Sequence, residues 1–351
     1  KNRWRNFTMN FGPRPLDQAE GQILAHNIAD EDGRRLLRKG HILSNEDLDR
    51  IRQLGWNEVY VAELAPGDLN EDEASWRLAQ LLSGANLELQ GPTTGRTNLL
   101  AKEHGLLRVK TNLLAAANRV AGVTIATLPP NRVVPAHQLV ASVKIIPYGL
   151  PADSLEPLHP AAKQNNAAVM LDPLKPKSVH LILHGSSRVE DFLQRTFLPP
   201  IQQRVESLES ELTTTQFVPF NQKDELDSLS RQLTSSCEEG ADLIIVAGET
   251  AIMDSDDLIP NAVRLAGGEV ECVGAPVDPG NLLMLAYLGS TPVLGAPGCA
   301  RSPKENVIDW VLPRLLVGER LNREDLIAMG PGGLLAEIKD RPMPRQASQR
   351  A

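Results

Sequence analysis

The sequence predicts an α/β protein whose carboxyl-terminal half holds a mostly parallel sheet between helical layers, preceded by smaller β-rich and α+β regions. Between Asp242 and Leu321 lie two short apolar runs, Leu243-Ile244-Ile245-Val246 and Pro292-Val293-Leu294, each bounded by Gly or Pro and each followed by a Gly-containing turn and a helical pattern. Apolar throughout rather than alternating, such runs suit strands covered on both faces. A chain of 351 residues is also long enough for two or three domains and a large core.

Residues 10–65 are expected as a small β-rich region with one helix. Asp32-Gly33 is a hairpin-turn signal, Ser44 caps a short helix with Asp47 at its third position, and Gly55 ends it. Residues 66–148 read as an α+β region. Asn70 caps an amphipathic helix from Glu71 to Leu82, with Trp76, Ala79 and Leu82 on one face. Strands over 106–109 and 123–127 flank a helix around 113–120, and 139–146 alternates into another strand. Gly95-Arg96-Thr97-Asn98 is a turn, either plain surface or one presenting Arg96 to a ligand. Prolines 147, 151, 157, 160, 173 and 176, with Asn165-Asn166, mark residues 149–176 as a linker.

The α/β domain is expected over 177–321, with helices over 198–212 and 224–237 as outer layers. Asp256 or Asp257 caps a further helix from Leu258 to Ala266, which Gly267-Gly268 ends. Over 322–351, Asn322 caps one short helix and Asp340 to Ser348 reads as the start of an interdomain linker. The basic start Lys1-Asn2-Arg3-Trp4-Arg5 lacks an initiator methionine, and Met9 is a candidate start.

Composition narrows the function classes. The three cysteines, Cys237, Cys272 and Cys299, lack C-x-x-C or other metal spacing, which argues against both a disulfide framework and a zinc site. No apolar run approaches the ~20 residues of a membrane span and no signal peptide is evident, so a cytoplasmic protein without a membrane partner is expected. The formal charge of −8 argues against nucleic-acid binding.

In open α/β sheets ligands bind outside the carboxyl ends of strands, which makes three loops the default site. They are Ala247-Gly248-Glu249-Thr250 leading into Asp254-Ser255-Asp256-Asp257, then Val277-Asp278-Pro279-Gly280-Asn281, then Ala296-Pro297-Gly298-Cys299-Ala300-Arg301-Ser302. In the last, Ser302 reads as an N-cap, Pro303 as the first helical residue and Glu305 as completing a capping box. Such a helix start, with Arg301 and Lys304 beside it and Gly298 giving close approach, either cradles a phosphate or simply caps a surface helix. The acidic loop likewise either caps its own helix or holds a hard cation such as magnesium. Cys299 is either a nucleophile or a small buried thiol. All seven histidines precede these loops, and only His184 sits at a strand end in the same sheet, as a ligand contact or an ordinary strand-end residue.

The order of these loops resembles the MoaB/Mog-type molybdopterin-binding domain, also found in molybdopterin molybdotransferase. That family usually reads SGG-x-S-x-G then D-x-D, K-P-G-K-P, and L-P-G-N-P-x-S; here Gly248-Glu249-Thr250 with Asp254 and Asp256, Asp278-Pro279-Gly280-Asn281, and Pro297-Gly298-Cys299-Ala300-Arg301-Ser302 stand in those places. The similarity covers about eighty residues. Residues 36–61 resemble the segment before the pterin domain in molybdotransferases. The whole chain is similar to the amino-terminal part of bacterial proteins in which a molybdopterin-binding region precedes a nucleotidyltransferase domain; no Gly-rich transferase signature occurs in these residues.

The resemblance implies a three-layer MoaB/Mog-like domain, a homo-oligomer, and a pterin ligand, molybdopterin or its nucleotidylated form, contacted by Gly248, Glu249, Thr250, Pro279, Gly280, Asn281, Pro297, Gly298, Arg301, Ser302 and Lys304. It also implies catalytic and metal roles for Asp254 and Asp256, toward magnesium or molybdate. The departures favour a binding module that presents cofactor to a nucleotidyltransferase or apoenzyme over a catalyst inserting molybdate into adenylylated molybdopterin. Glu249 replaces a glycine, Asp278 and Asn281 replace lysines, and His184-Gly185-Ser186-Ser187 stands where the family's first strand ends in T-G-D-E.

Overall fold

A computed structural model describes residues 9–158, 167–220 and 224–335, and the chain divides into two units, Lys1–Pro173 and Leu174–Ala351. In the first unit, β1 (Asn10–Pro15), β2 (Ile23–Leu24), β3 (Ile28–Ala29), β4 (Arg35–Leu37), α1 (Asn45–Gln53) and β5 (Glu58–Glu63) come first. Strands β1, β5 and β2 form an antiparallel sheet in that order, and β3 pairs with β4 across a turn that needs Gly33 at φ 77°. The capping box at Ser44 and Asp47 is present. Burial would raise the Asp47 carboxyl, but hydrogen bonds from Ser44 and His41 outweigh it and hold the group at about 2.

The rest of the unit holds β6 (Asp68–Asn70), α2 (Glu71–Leu82), β7 (Leu87–Thr93), β8 (Arg96–Ala101), β9 (Gly105–Val109), α3 (Thr111–Asn118), β10 (Val123–Thr127), β11 (Val133–Val134), β12 (Leu139–Ile145), β13 (Gly149–Pro151) and β14 (Val169–Pro173). Asn70 caps α2, which buries Ala74, Ser75, Leu78, Ala79 and Leu82 and leaves Trp76 half-buried at the flank. One hydrophobic core lies among residues 16–61 and a second among 69–171. The Pro-rich stretch 149–176 is not a bare connection: β13 pairs with β6, and β14 forms the edge of a sheet against β9. Proline is compatible with edge strands, so its density there did not exclude pairing. Pro160 and Asn165-Asn166, like the 340–348 tail and the basic start, lie outside the described residues.

The second unit holds β15 (Ser178–Gly185), α4 (Glu190–Ser207), β16 (Glu211–Pro219), α5 (Glu225–Glu238), β17 (Leu243–Gly248), α6 (Leu258–Leu265), β18 (Glu269–Val273), β19 (Met284–Leu288), β20 (Thr291–Gly295), α7 (Val307–Leu316) and α8 (Arg323–Ile327). Its sheet runs β16-β15-β17-β20-β19-β18; the first four are parallel and β19 is antiparallel to both neighbours. The result is a mixed α/β architecture with a mostly parallel sheet. On one face Ile182, Ile244, Val246, Met284 and Val293 pack with Leu229 and Leu233 of α5 and Ile259 and Val263 of α6. The other face carries α4, whose Leu193 lies against Gly185, and α7, tied to α4 through Arg204 and Asp309.

The helix expected over 198–212 instead spans Glu190–Ser207, with Pro199 and Pro200 inside it. The stripe Leu193, Phe197, Ile201 and Val205 is buried, and that packing outweighs the two main-chain bonds the prolines cannot donate. Residues 211–219 form the edge strand β16, half-buried in alternation, where no strand was expected.

Candidate functional site

Strands β15, β17 and β20 are adjacent, and β18 ends at the same edge because it runs with them, so the three loops gather at the carboxyl edge of the sheet. The strand ladders continue into them: the Glu249 amide donates to the His184 carbonyl and the Ala296 amide to the Val246 carbonyl, both at 2.8 Å.

The third loop departs from its expected form. Residues Gly298–Arg301 make a short 3-10 turn that ends at Ser302, and α7 opens only at Val307. Asn306 is its N-cap. The Asn306 Oδ1 accepts from the Ile308 amide at 3.0 Å, and Asp309 Oδ2 accepts from the Asn306 amide at 2.8 Å. Ser302 accepts instead from the Lys304 amide at 3.2 Å, while Glu305 accepts from Trp310 Nε1 at 3.0 Å. The capping box expected at Ser302 and Glu305 is therefore formed by Asn306 and Asp309. The latter pair wins because Asp309 also receives the buried guanidinium of Arg204.

Arg204 organises this loop from beneath. Its Nε donates to Asp309 Oδ1 at 2.9 Å, Nη1 to the carbonyls of Pro200 and Ala300 at 3.2 Å, and Nη2 to those of Ser302 at 2.8 Å and Lys304 at 3.1 Å. A trans peptide sets its C=O and N–H on opposite sides. The amides following these carbonyls, those of Arg301 and Glu305, therefore point away from Arg204.

Arg301 is braced as well. Its guanidinium carbon lies 5.0 Å from the ring centroid of Phe197 and 5.9 Å from that of Phe192, both on α4, and its Nε donates to the Gly298 carbonyl at 3.2 Å. Gly298 is exposed, and a Cβ there would come within 3.3 Å of Arg301 Nη2. Neither Arg301 nor exposed Lys304 has a carboxylate partner among the described residues. Pro297 is buried, and Ser302 is half-buried. Burial pushes the Cys299 thiol above its usual value, which disfavours the thiolate a nucleophile would need.

Two of the three carboxylates of the acidic loop are satisfied by amides beside them. Asp254 Oδ1 accepts from the Asp256 amide at 2.9 Å, exposed Asp256 reaches Arg264 only at 4.0 Å, and Asp257 caps α6 while also accepting from the Met253 amide at 3.0 Å. No group of three His, Cys, Asp or Glu residues that could hold a metal occurs among the described residues. This arrangement does not fit a ready magnesium or molybdate site at Asp254 and Asp256. Earlier in the loop, Gly248 is half-buried and Thr250 exposed, and Glu249 accepts from the Ser186 amide at 2.7 Å.

In the second loop the Pro279 carbonyl accepts from the Val307 amide at 3.3 Å, which joins this loop to the start of α7. Gly280 is buried at φ 135°, where a Cβ would overlap the Val307 side chain. Packing thus explains this glycine. Asn281 is exposed. His184 is turned away from the loops: Nδ1 faces the Val218 carbonyl at 3.0 Å and Nε2 faces Glu225 at 2.8 Å. It is a buried strand-end residue. Arg96 lies in the other unit, at the start of β8, and donates to Ser142 Oγ at 3.4 Å.

Sequence reasoning missed Arg204, Asn306, Asp309, Phe192 and Phe197. One signal was available: Arg204 falls on the apolar stripe of α4, and a charge on a buried face requires partners.

Among known proteins, a family model described as a domain of unknown function, DUF8806, matches residues 13–63. No curated protein matches the sequence. Among solved structures, the chain is similar to molybdenum cofactor biosynthesis protein B, at 13% identity and TM-score 0.30 over 41% of this chain and 96% of that one. It is also similar to the molybdopterin biosynthesis MoeA protein from Pyrococcus horikosii, at 12% identity and TM-score 0.28 over 88% of this chain and 75% of that one. Agreement this loose carries no weight for ligand or reaction, which rest on the chain's own loops. No helix among the described residues is long and apolar enough to cross a membrane.

Proposed function

We propose that the second unit binds molybdopterin or its nucleotidylated form in molybdenum cofactor biosynthesis and presents it to a nucleotidyltransferase or an apoenzyme. The observation that carries this reading is Arg301, a cation laid across Phe197 and Phe192 at the ligand edge of the sheet with no carboxylate partner among the described residues. A guanidinium fixed in this way is prepared for a phosphate. The molybdopterin phosphate would lie against Arg301 and Lys304, with Gly298 giving it room and Gly248 and Thr250 bordering the ring. The alternative, a molybdotransferase-like enzyme using Asp254 and Asp256 with magnesium, is disfavoured because Asp254 is engaged in its own turn. Cytoplasmic location and homo-oligomeric assembly belong to the same proposal.

The test is to purify the protein from a molybdenum-competent host, oxidise it and measure released fluorescent pterin. Near-stoichiometric release is expected; absence of pterin from protein purified from a host whose extract contains molybdopterin would refute binding. Cofactor formation abolished by Asp256→Ala would favour the catalytic alternative.

A further inference from the structure

We propose that the first unit carries a ligand site of its own: a cavity between β1 and the turn from α3 to β10 that takes a small molecule with an apolar, ring-sized body and a single anionic group. This site is independent of the pterin reading, which concerns the other unit.

The cavity holds about 910 Å³ and is walled mainly by apolar side chains. Small-molecule sites span about 300 to 1,000 Å³ and combine an apolar lining with a few placed polar groups. Phe11 lines it from β1 and Ile146 from the end of β12, and these two large apolar side chains are 51% and 61% exposed. Their exposure falls in one concave place, where a single occupant covers both. The walls are held apart by bonds of the fold. The Tyr148 hydroxyl donates to the Ala25 carbonyl at 2.8 Å, which ties the wall from the second core to the first. Gly122 stands at φ 81°, where a Cβ would lie 2.9 Å from Pro147 Cδ, and its carbonyl accepts from the Ile146 amide at 2.8 Å.

The polar groups of the lining decide the ligand. Asn118 Oδ1 accepts from the Ile125 amide at 2.7 Å and its Nδ2 donates to the Ile125 carbonyl at 3.1 Å. The Thr124 hydroxyl donates to the Lys144 carbonyl at 3.3 Å. Burial, with the nearby Glu71 charge, pushes the Tyr148 hydroxyl up, so it stays neutral while it bonds Ala25. Arg119 is left. It is exposed, it is the one charged side chain among the described residues of the lining, and its guanidinium has no partner among the described residues. The end of α3 does not hold it either, because the Ala116 and Ala117 carbonyls accept from the Arg119 and Val120 amides at 3.1 Å. One uncompensated positive charge beside an apolar cavity matches one negative charge on an apolar body, and the low dielectric of such a wall strengthens the pair. The guanidinium fork suits a carboxylate or another oxyanion.

The test titrates the full chain with 1-anilinonaphthalene-8-sulfonate and with its neutral analogue N-phenyl-1-naphthylamine, reading fluorescence for affinity and the Ile146 and Val120 methyl resonances for location. Both probes should bind one to one and shift both methyls, the sulfonate about tenfold more tightly, as expected of a hydrogen bond to a charged group. Arg119→Gln should abolish that preference and leave the neutral probe's affinity unchanged, while Arg119→Lys keeps most of it. Ile146→Ser, at an exposed position, should weaken both probes alike. Binding that leaves the Ile146 and Val120 methyls still, or no saturable binding, would overturn the site. Equal affinity for the two probes in the wild type, or a preference that survives Arg119→Gln, would overturn the anionic class of ligand.

Discussion

The first and third loops lie at one sheet edge and handle their charge in opposite ways. Asp254 and Asp257 turn their carboxylates onto amides beside them while exposed Asp256 comes only within 4.0 Å of Arg264, whereas Arg301 is held by aromatic rings and a carbonyl with no carboxylate partner among the described residues. A charge that its own loop satisfies shapes the loop. One that the fold braces and leaves uncompensated is available to a ligand. The acidic loop has the more conspicuous sequence, yet the basic loop has the features of a receptor.

The largest expected effect comes from removing the brace. Arg204→Ala removes the guanidinium that donates to Asp309 and to four carbonyls, and loss of one partner from a buried pair costs about 3 kcal/mol. Chemical denaturation should show it; a loss under about 1 kcal/mol, the value of an exposed pair, would mean the loop does not depend on this arginine. Next, Gly280→Ala drives a side chain into Val307 at a left-handed φ and should cost about 2 kcal/mol. Gly298→Ala, with only the flexible end of Arg301 above it, should change stability by about 0.5 kcal/mol while weakening anion binding. Equal destabilisation by the two substitutions would erase the distinction between a packing glycine and an access glycine.

Within the acidic loop, Asp257→Ala should cost about 1 kcal/mol through loss of the α6 cap, and Asp256→Ala, at an exposed position, about 0.5 kcal/mol or less. Thermal denaturation checks the ranking, and a reversed order would contradict the capping role. The smallest effect is that of pH on Glu249. Its folded carboxyl is lowered chiefly by the Ser186 amide, so its stabilising contribution is present above the ordinary glutamate value and disappears as pH falls through the folded one. The Ser186 amide shift should titrate below the usual carboxylate range; a midpoint at or above that range would mean the hydrogen bond is absent in solution.

Much of this fold was legible wherever the determinants are local. Ser44 with Asp47, Asn70, Asp257 and Asn322 with Asp325 cap the helices expected of them, because donor and acceptor lie within one turn of sequence. The fully apolar runs at β17 and β20 gave the buried parallel strands for the same reason. The site was less legible. Ser302-Pro303-Lys304-Glu305 has the pattern of a helix start, but Arg204, about a hundred residues earlier, stabilises the competing start at Asn306 and Asp309. No window around Ser302 contains that information. Phe192 and Phe197 are distant in sequence from Arg301 in the same way, and Gly280 has the sequence setting of a ligand glycine although Val307 packs against it. Motif order located the edge, while long-range packing determined which residues on it remain open.

The most direct measurement is calorimetric titration of a pterin monophosphate into the wild type, Arg301→Ala and the Asp254→Ala/Asp256→Ala double variant. The expected result is measurable binding by the wild type, about tenfold weaker binding or worse by Arg301→Ala through loss of a charge-assisted hydrogen bond, and affinity within about twofold of wild type for the acidic double variant. Undiminished binding by Arg301→Ala, or collapse of binding in the double variant, would place the receptor in the first loop and contradict the comparison.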